Sequence, residues 1–415
     1  MESILTGFDF PRTQPSIIKV IGVGGGGGNA VTHMYKEGIQ DVNFVLCNTD
    51  NQALLNSGVP AVLQLGRTIT EGLGAGGRPE VAKQAAEESI PDIKRMLEDG
   101  TKMVFVTAGM GGGTGTGAAP TIAKVAKDMD ILTVGIVTIP FVFERKFKII
   151  QALRGVREIR RNVDALLIIN NEKLREVYAD LTVLNAFKKA DDNLTIAAKS
   201  IAEIITIPGY VNLDFNDVKT ILKDGGVAIM SSGFASGAGR LAKAFDSALH
   251  SPLLNNNDVF KAKKILFNVY SGSQAPLMMD EMDEIDTFMD KFVTKDIEVI
   301  HGLAVDEELG EDVKVIILAT GFDVENIPFM SEVTPEEEER QMEESAQDVK
   351  DIQDNYGGTK AIQILTDVRS PSQPFLFPSL ECLDENSIIE ALLSQPAYKR
   401  DLSQMRELVK KCLSL

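Results

Sequence analysis

Met103-Val104-Phe105-Val106-Thr107-Ala108-Gly109 leads into Gly111-Gly112-Gly113-Thr114-Gly115-Thr116-Gly117, and Ala118–Met129 follows with helical character. The leading run is apolar at successive positions, as expected of a strand covered on both faces. The loop has another origin. Each glycine costs backbone entropy, so five of them in seven residues point to what only glycine permits: positive φ, or backbone brought close to another group. A loop that opens a helix also presents N–H groups without intrahelical partners, a natural seat for phosphate. Thr114 and Thr116 add hydroxyls beside those amides.

A second stretch repeats the arrangement. Ile17–Val23 reads as a strand running into Gly24-Gly25-Gly26-Gly27-Gly28-Asn29, with a helix expected from about Ala30. Alone, this loop fits G-x-G-x-x-G and a dinucleotide fold, with Asp50 near the place of a ribose-binding acid. It also fits a glycine turn kept for packing. Two phosphate-cradling helix N-termini on adjacent strand ends favour a triphosphate over one pyrophosphate. A nicotinamide-dependent oxidoreductase would use Gly24–Asn29 and leaves Gly111–Gly117 without a purpose, and its acid–base set would have to come from His33, His250 and His301. The chain has no Gly-x-x-x-x-Gly-Lys-Ser/Thr, so it is not a P-loop enzyme. Backbone amides, helix dipoles and Mg2+ must then neutralise the phosphates.

Outward from the loops, short apolar runs at Ile17–Val23, Phe44–Cys47, Met103–Val106, Leu132–Ile139 and Ala165–Ile169 alternate with helical stretches such as Pro79–Leu97. That alternation predicts an α/β fold with a doubly wound parallel sheet. Leu184, Phe187, Ala190, Leu194, Ala197, Ile201 and Ile204 then recur at spacings of three and four, up to Pro208-Gly209. They predict a long central helix, roughly 36 Å at 1.5 Å per residue. Ile265–Tyr270, Ile297–Val305 and Val313–Thr320 read as strands of a second α/β domain with a mixed sheet. Glu332 to Asp354 is dominated by acid and is followed by Gly357-Gly358 and Ser370-Pro371-Ser372-Gln373-Pro374. Such a segment buries too little apolar surface to offset ordering entropy, so a disordered acidic linker is expected.

Together with Asn48-Thr49-Asp50 and Gly72-Leu73-Gly74-Ala75-Gly76, the two glycine loops resemble those of the tubulin/FtsZ family, on its bacterial cell-division side. The resemblance runs from about Ile17 to Phe322. It implies a GTPase that binds GTP and its product GDP. Gly25, Gly26 and Asn29 would contact phosphates, as would Gly111–Gly117, with Ala75 and Gly76 near the γ-position. Glu144, in Pro140-Phe141-Val142-Phe143-Glu144, matches the family's ribose-binding glutamate. Lys148 stands where many members carry arginine, keeping the charge without the fork. Asn171 matches an asparagine that serves guanine or ribose. Phe187 would stack on the base, although its spacing also suits plain helix packing. Asp191 would accept from guanine N1 and N2, an edge adenine lacks. The expected organisation is an arm (1–15), a GTP-binding domain (16–183), the central helix (184–208), a C-terminal assembly domain (209–323), the linker (324–385) and a partner-binding peptide (386–415).

Asn212-Leu213-Asp214-Phe215-Asn216-Asp217 follows the long helix. Carboxylates three residues apart share one side of a helical turn and can orient a water, while Asp214 also suits an N-cap. Nucleotides bind at the carboxyl ends of parallel strands, so a helix starting there carries this loop to the opposite pole. The loop cannot reach its own γ-phosphate but can reach that of a subunit stacked head to tail. The resemblance implies the same: Asp214 and Asp217 as catalytic aspartates donated in trans, with Asn212 beside them. A non-closing contact of this kind builds a filament.

The tail around Pro396-Ala397-Tyr398-Lys399-Arg400 resembles the family's C-terminal peptide, which docks membrane-tethering division proteins. The extension Asp401–Leu415 carries Lys410-Lys411. Composition bounds the rest. The chain has 415 residues, 44% hydrophobic and 25% charged, which suits two or three globular domains. A net charge of −18 argues against nucleic acid as a partner. Cys47, Cys382 and Cys412 have no metal-ligand spacing and suit a reducing cytosol. No protein-held metal is expected, the magnesium being carried mainly by phosphates and water. Neither a signal peptide in Met1–Ser16 nor an apolar run long enough to span a bilayer is found, so a cytoplasmic protein is expected, and the resemblance implies that it acts at midcell.

Overall fold

Eleven strands form one sheet in the computed structural model, which describes residues 16–39, 41–177, 182–207, 209–250, 259–293 and 297–322. In chain order the strands are β1 (Ile18–Val23), β2 (Val42–Asn48), β3 (Val62–Gln64), β4 (Met103–Gly109), β5 (Leu132–Ile139), β6 (Ala165–Asn170), β7 (Gly209–Val211), β8 (Gly226–Ala235), β9 (Lys264–Ser271), β10 (Glu298–Val305) and β11 (Val313–Thr320). Their order across the sheet is β3-β2-β1-β4-β5-β6-β8-β11-β9-β10-β7. From β3 to β8 every pairing is parallel. Beyond β8 the pairings are mixed: β11 runs antiparallel to both β8 and β9, whereas β9 and β10 are parallel. The expected arm, linker and tail peptide, with Cys382, Cys412 and Pro208, lie outside the described residues.

Both faces of the sheet are covered, which explains the uninterrupted apolar strands. In β4, Met103 and Phe105 point into one core, and Val104, Val106 and Ala108 point into the other. β11 repeats this, with Ile316 and Leu318 on one side and Val315 and Ile317 on the other. This is the period-two alternation of a strand with a core on each face. Helices Gly113–Asp128, Lys146–Arg160 and Arg240–Leu249 share the core of Val104 and Val315, and helices Gly24–Glu37 and Val183–Thr206 share that of Phe105 and Ile316.

The long helix, Val183–Thr206, has 24 residues, and the Thr182 hydroxyl caps it by accepting from the Asn185 N–H at 3.3 Å. Leu194, Ala197, Ile201 and Ile204 sit in the same core as Phe105 and Val134 of the parallel strands and Leu266 and Ile316 of the mixed ones. The helix therefore joins the two halves of the sheet.

Several boundaries differ from the sequence expectation. Pro79–Leu97 is two helices, Pro79–Glu88 and Ile90–Leu97. Pro91 has no N–H to continue the ladder, and the Ser89 hydroxyl fills the break, donating to Ala85 O and accepting from Gly66 N–H. The two glycine loops also belong to their helices, which begin at Gly24 and Gly113 rather than near Ala30 and Ala118.

Candidate functional site

The parallel strands end level with one another. Val23 of β1 pairs with Cys47 and Ala108, Gly109 of β4 with Thr138, and Ile139 of β5 with Asn170. One residue beyond these ends begin Gly24–Asn29, Thr49-Asp50, Met110–Gly117, Pro140–Glu144 and Asn171. The sheet thereby gathers at one edge residues more than a hundred positions apart.

The two glycine loops touch backbone to backbone. Gly24 has φ +71°, and a Cβ there would stand 2.8 Å from Gly115 N; a Cβ on Gly26 would stand 3.2 Å from Gly109 Cα. Thr49 Oγ1 and Thr114 Oγ1 lie 2.8 Å apart. Gly74 N–H donates to Thr49 O at 3.1 Å and Asn51 N–H to Gly72 O at 3.0 Å, tying Gly72–Gly76 to the same place. Gly25, Gly26, Asn29, Gly76 and Gly112 are exposed, and Ala75 is buried. Both helices that open here lack a capping side chain, at Val23 and at Gly112, so their first N–H groups remain for a ligand. Thr116 is turned inward: its hydroxyl accepts from Gly111 N–H at 2.9 Å and holds the loop's shape. Gly113, Gly115 and Gly117 are buried in that packing, and Gly111 has φ +99°.

Asp50 is engaged by its own chain. Its carboxylate turns back to cap helix Asn51–Leu55, accepting from the N–H groups of Gln52 and Ala53. Glu144 folds onto its own turn, accepting from Phe141 N–H at 3.1 Å and from Lys148 Nζ at 3.3 Å. Asn171 is buried, and its Oδ1 has no hydrogen-bond partner among the described residues. An orphaned acceptor at the rim of a phosphate cradle is a group in want of a ligand. Asp191 lies on the long helix beside the glycine helix, whose His33 approaches Asp192 and Thr195. Burial, with the negative Asp192 next to it, pushes the Asp191 carboxyl up to about 7. Phe187 is in the same helix, but its side chain lies outside the described residues.

Asn212, Asp214 and Asp217 stand apart from this edge, past the far end of the long helix. Asp214 caps helix Phe215–Leu222, accepting from Asn216 N–H at 2.7 Å and Asp217 N–H at 3.0 Å, and Asp217 returns the bond from Asp214 N–H at 2.8 Å. Asn212 accepts from Gly209 N–H at 3.1 Å.

Residues 17–179 match the model of the Tubulin/FtsZ family, GTPase domain, and residues 226–323 that of the FtsZ family, C-terminal domain. The chain is 51% identical over 418 residues to the cell division protein FtsZ of Porphyromonas gingivalis, covering 96% of this chain and 89% of that one. The chain belongs to the tubulin/FtsZ family. The FtsZ of Pseudomonas aeruginosa is 46% identical over 309 residues, 74% of this chain and 78% of its own. The solved empty FtsZ dimer of M. jannaschii superposes with a TM-score of 0.68 at 37% identity, over 75% of this chain and 89% of that one. CetZ1 from Haloferax volcanii, at 20% identity and TM-score 0.63, over 73% of this chain and 94% of that one, shares the fold. The chain is a tubulin-like GTPase of cell division, binding GTP and GDP.

Two residues of this edge escaped the sequence reading of individual side chains. Thr49 meets Thr114 only because β2 ends level with β4, and Gln151 lies in no motif. Its amide nevertheless reaches the carbonyls of Gly111 and Gly112 at 3.1 and 3.0 Å.

Proposed function

We propose that GTP lies across the two glycine loops of one subunit and is hydrolysed by Asp214 and Asp217 of the next, in a head-to-tail filament that scaffolds division. One observation carries this: the capped aspartate loop stands past a 24-residue helix from the strand ends that hold the cradle, roughly 36 Å away at 1.5 Å per residue. Exposed apolar side chains mark both poles, Leu73 and Phe147 near the cradle and Tyr210 and Val211 at the other end. A heterologous contact between two such faces does not close. Turnover per subunit should therefore collapse below a critical concentration. A rate per subunit that stays constant on dilution rules the composite site out.

In this reading Gly25, Gly26, Asn29, Ala75, Gly76 and the Gly111–Gly117 loop hold the phosphates, Glu144 and Asn171 hold the sugar and base, and Asp191 reads the guanine edge. Lys148 neutralises charge beside them. Mg2+ would be carried mainly by phosphate oxygens and water. Bound there, it would offset phosphate charge. The peptide around Pro396–Arg400 would tether the filament to membrane-bound division proteins at midcell on the cytoplasmic side. Among the described residues no helix is long and apolar enough to cross a membrane.

Asp191 gives this site a pH dependence whose sign is fixed. Guanine N1 and N2 donate, so they need the charged carboxylate, and the free carboxyl titrates at about 7. Affinity should rise with pH through that value, by about tenfold between pH 6 and pH 8, because the charged fraction changes by that factor. Titration calorimetry at saturating Mg2+ measures it. An affinity that is flat over this range removes Asp191 from the base contact.

A further inference from the structure

Gln151 stands on helix Lys146–Arg160, half-buried, with Nε2 3.0 Å from Gly112 O, 3.1 Å from Gly111 O and 3.4 Å from Gly77 O. One amide thus meets carbonyls of two separate loops. In a trans peptide the C=O and the following N–H point in opposite directions. Drawing the carbonyls of Gly111 and Gly112 toward Gln151 therefore turns the N–H groups of Gly112 and Gly113 away from it, toward the exposed side of the loop. Gly111 N–H is already held by Thr116 Oγ1. The third contact fixes the end of the other loop, where Arg78 N–H donates to Ala75 O at 3.1 Å to close the turn. The loops also pack directly, since a Cβ on Gly113 would stand 3.0 Å from Gly77 C.

We propose that Gln151 is a positioning residue for the GTPase, latching the Gly72–Gly77 loop to the Gly111–Gly117 loop so that both face one polyphosphate. The proposal rests on the reading of these loops as the phosphate cradle. A triphosphate spans both loops, with its terminal phosphate at Ala75 and Gly76, whereas a diphosphate ends short of the second. The latch therefore favours GTP over GDP.

The test is the ratio of GTP to GDP affinity, measured by calorimetry on the full chain below its assembly concentration. Gln151→Ala should lower that ratio about threefold to tenfold, the worth of one or two hydrogen bonds. Gln151→Lys retains N–H donors at similar reach and should restore most of it. Gln151→Glu has no donor to offer and sets negative charge against the carbonyls, so it should lose as much as alanine. A merely structural role would lower both affinities equally; an unchanged ratio in Gln151→Ala, or a parental ratio in Gln151→Glu, overturns the proposal. Gly112→Glu separates the two readings, since a side chain there meets open space and its charge should weaken both nucleotides. If it weakens neither, the cradle assignment fails as well. If it weakens both while the Gln151→Ala ratio stands, only the role of Gln151 is lost.

Discussion

Asp217→Asn is expected to stop GTP turnover while leaving GTP bound. The substitution is mild for the fold. Asp217 Oδ2 accepts from Asp214 N–H at 2.8 Å, and an asparagine Oδ1 can accept the same bond, so the capping box at the head of helix Phe215–Leu222 survives. What goes is charge. Loss of a group that orients or deprotonates the attacking water costs about 10²- to 10⁴-fold in rate. Binding should be untouched, because the subunit's own cradle lies at the other pole. Asp191→Ala has the reverse defect: it loses charge-assisted hydrogen bonds to guanine, about 1.5–3 kcal/mol each, but keeps Asp217. Each variant alone should be inactive. Mixed in equal amounts they should recover roughly a quarter of parental turnover, since one interface in four joins an intact cradle to an intact aspartate in a heterologous filament. A mixture as dead as its components would show that the aspartates act within their own subunit or not at all.

How much of this was legible beforehand depends on the range of the interaction. The buried strands could be read because a strand covered on both faces is apolar at most positions, and Met103–Val106, Leu132–Ile139 and Val313–Thr320 follow that rule with only Thr133, Thr138, Lys314 and Thr320 as polar exceptions. β8 escaped notice because Ser231, Ser232 and Gly233 interrupt its apolar pattern. The small residue has a tertiary cause: a Cβ on Gly233 would strike the backbone of helix Arg240–Leu249 at Ala244. β3 and β7, three residues each, are too short to carry a period. The glycine loops stood out by composition, five glycines in seven residues at Gly111–Gly117 and five in a row at Gly24–Gly28. Gln151 could not, because its value lies in carbonyls about 40 and 74 positions away in sequence, and nothing about a glutamine in a helix names its acceptors. Asp50 shows the converse: its spacing after Gly24–Asn29 suggested a ribose acid, but the helix that begins at Asn51 draws its carboxylate into a cap.

Two glycines four positions apart should respond in opposite ways to alanine, and this tests the cradle as a piece of packing. Gly24 has φ +71°, and its Cβ would lie 2.8 Å from Gly115 N and 3.1 Å from Thr114 Cβ. Alanine there takes on left-handed strain and pries the two loops apart, a loss of about 2–5 kcal/mol. Because the displaced atoms belong to the Gly111–Gly117 loop, the damage should extend to GTP affinity. Gly28 has no positive φ and nothing within 4 Å of its Cβ, and it lies inside helix Gly24–Glu37. Alanine there removes the entropic cost of a helical glycine and should stabilise the chain by about 0.5–1 kcal/mol. Denaturation midpoints of the two variants, with and without GDP, decide the matter. If both fall alike, the glycines serve a common flexibility. If Gly24→Ala falls while Gly28→Ala rises, the run is two kinds of residue: one that lets the loops touch, and one that merely extends the helix whose N-terminus faces the phosphate.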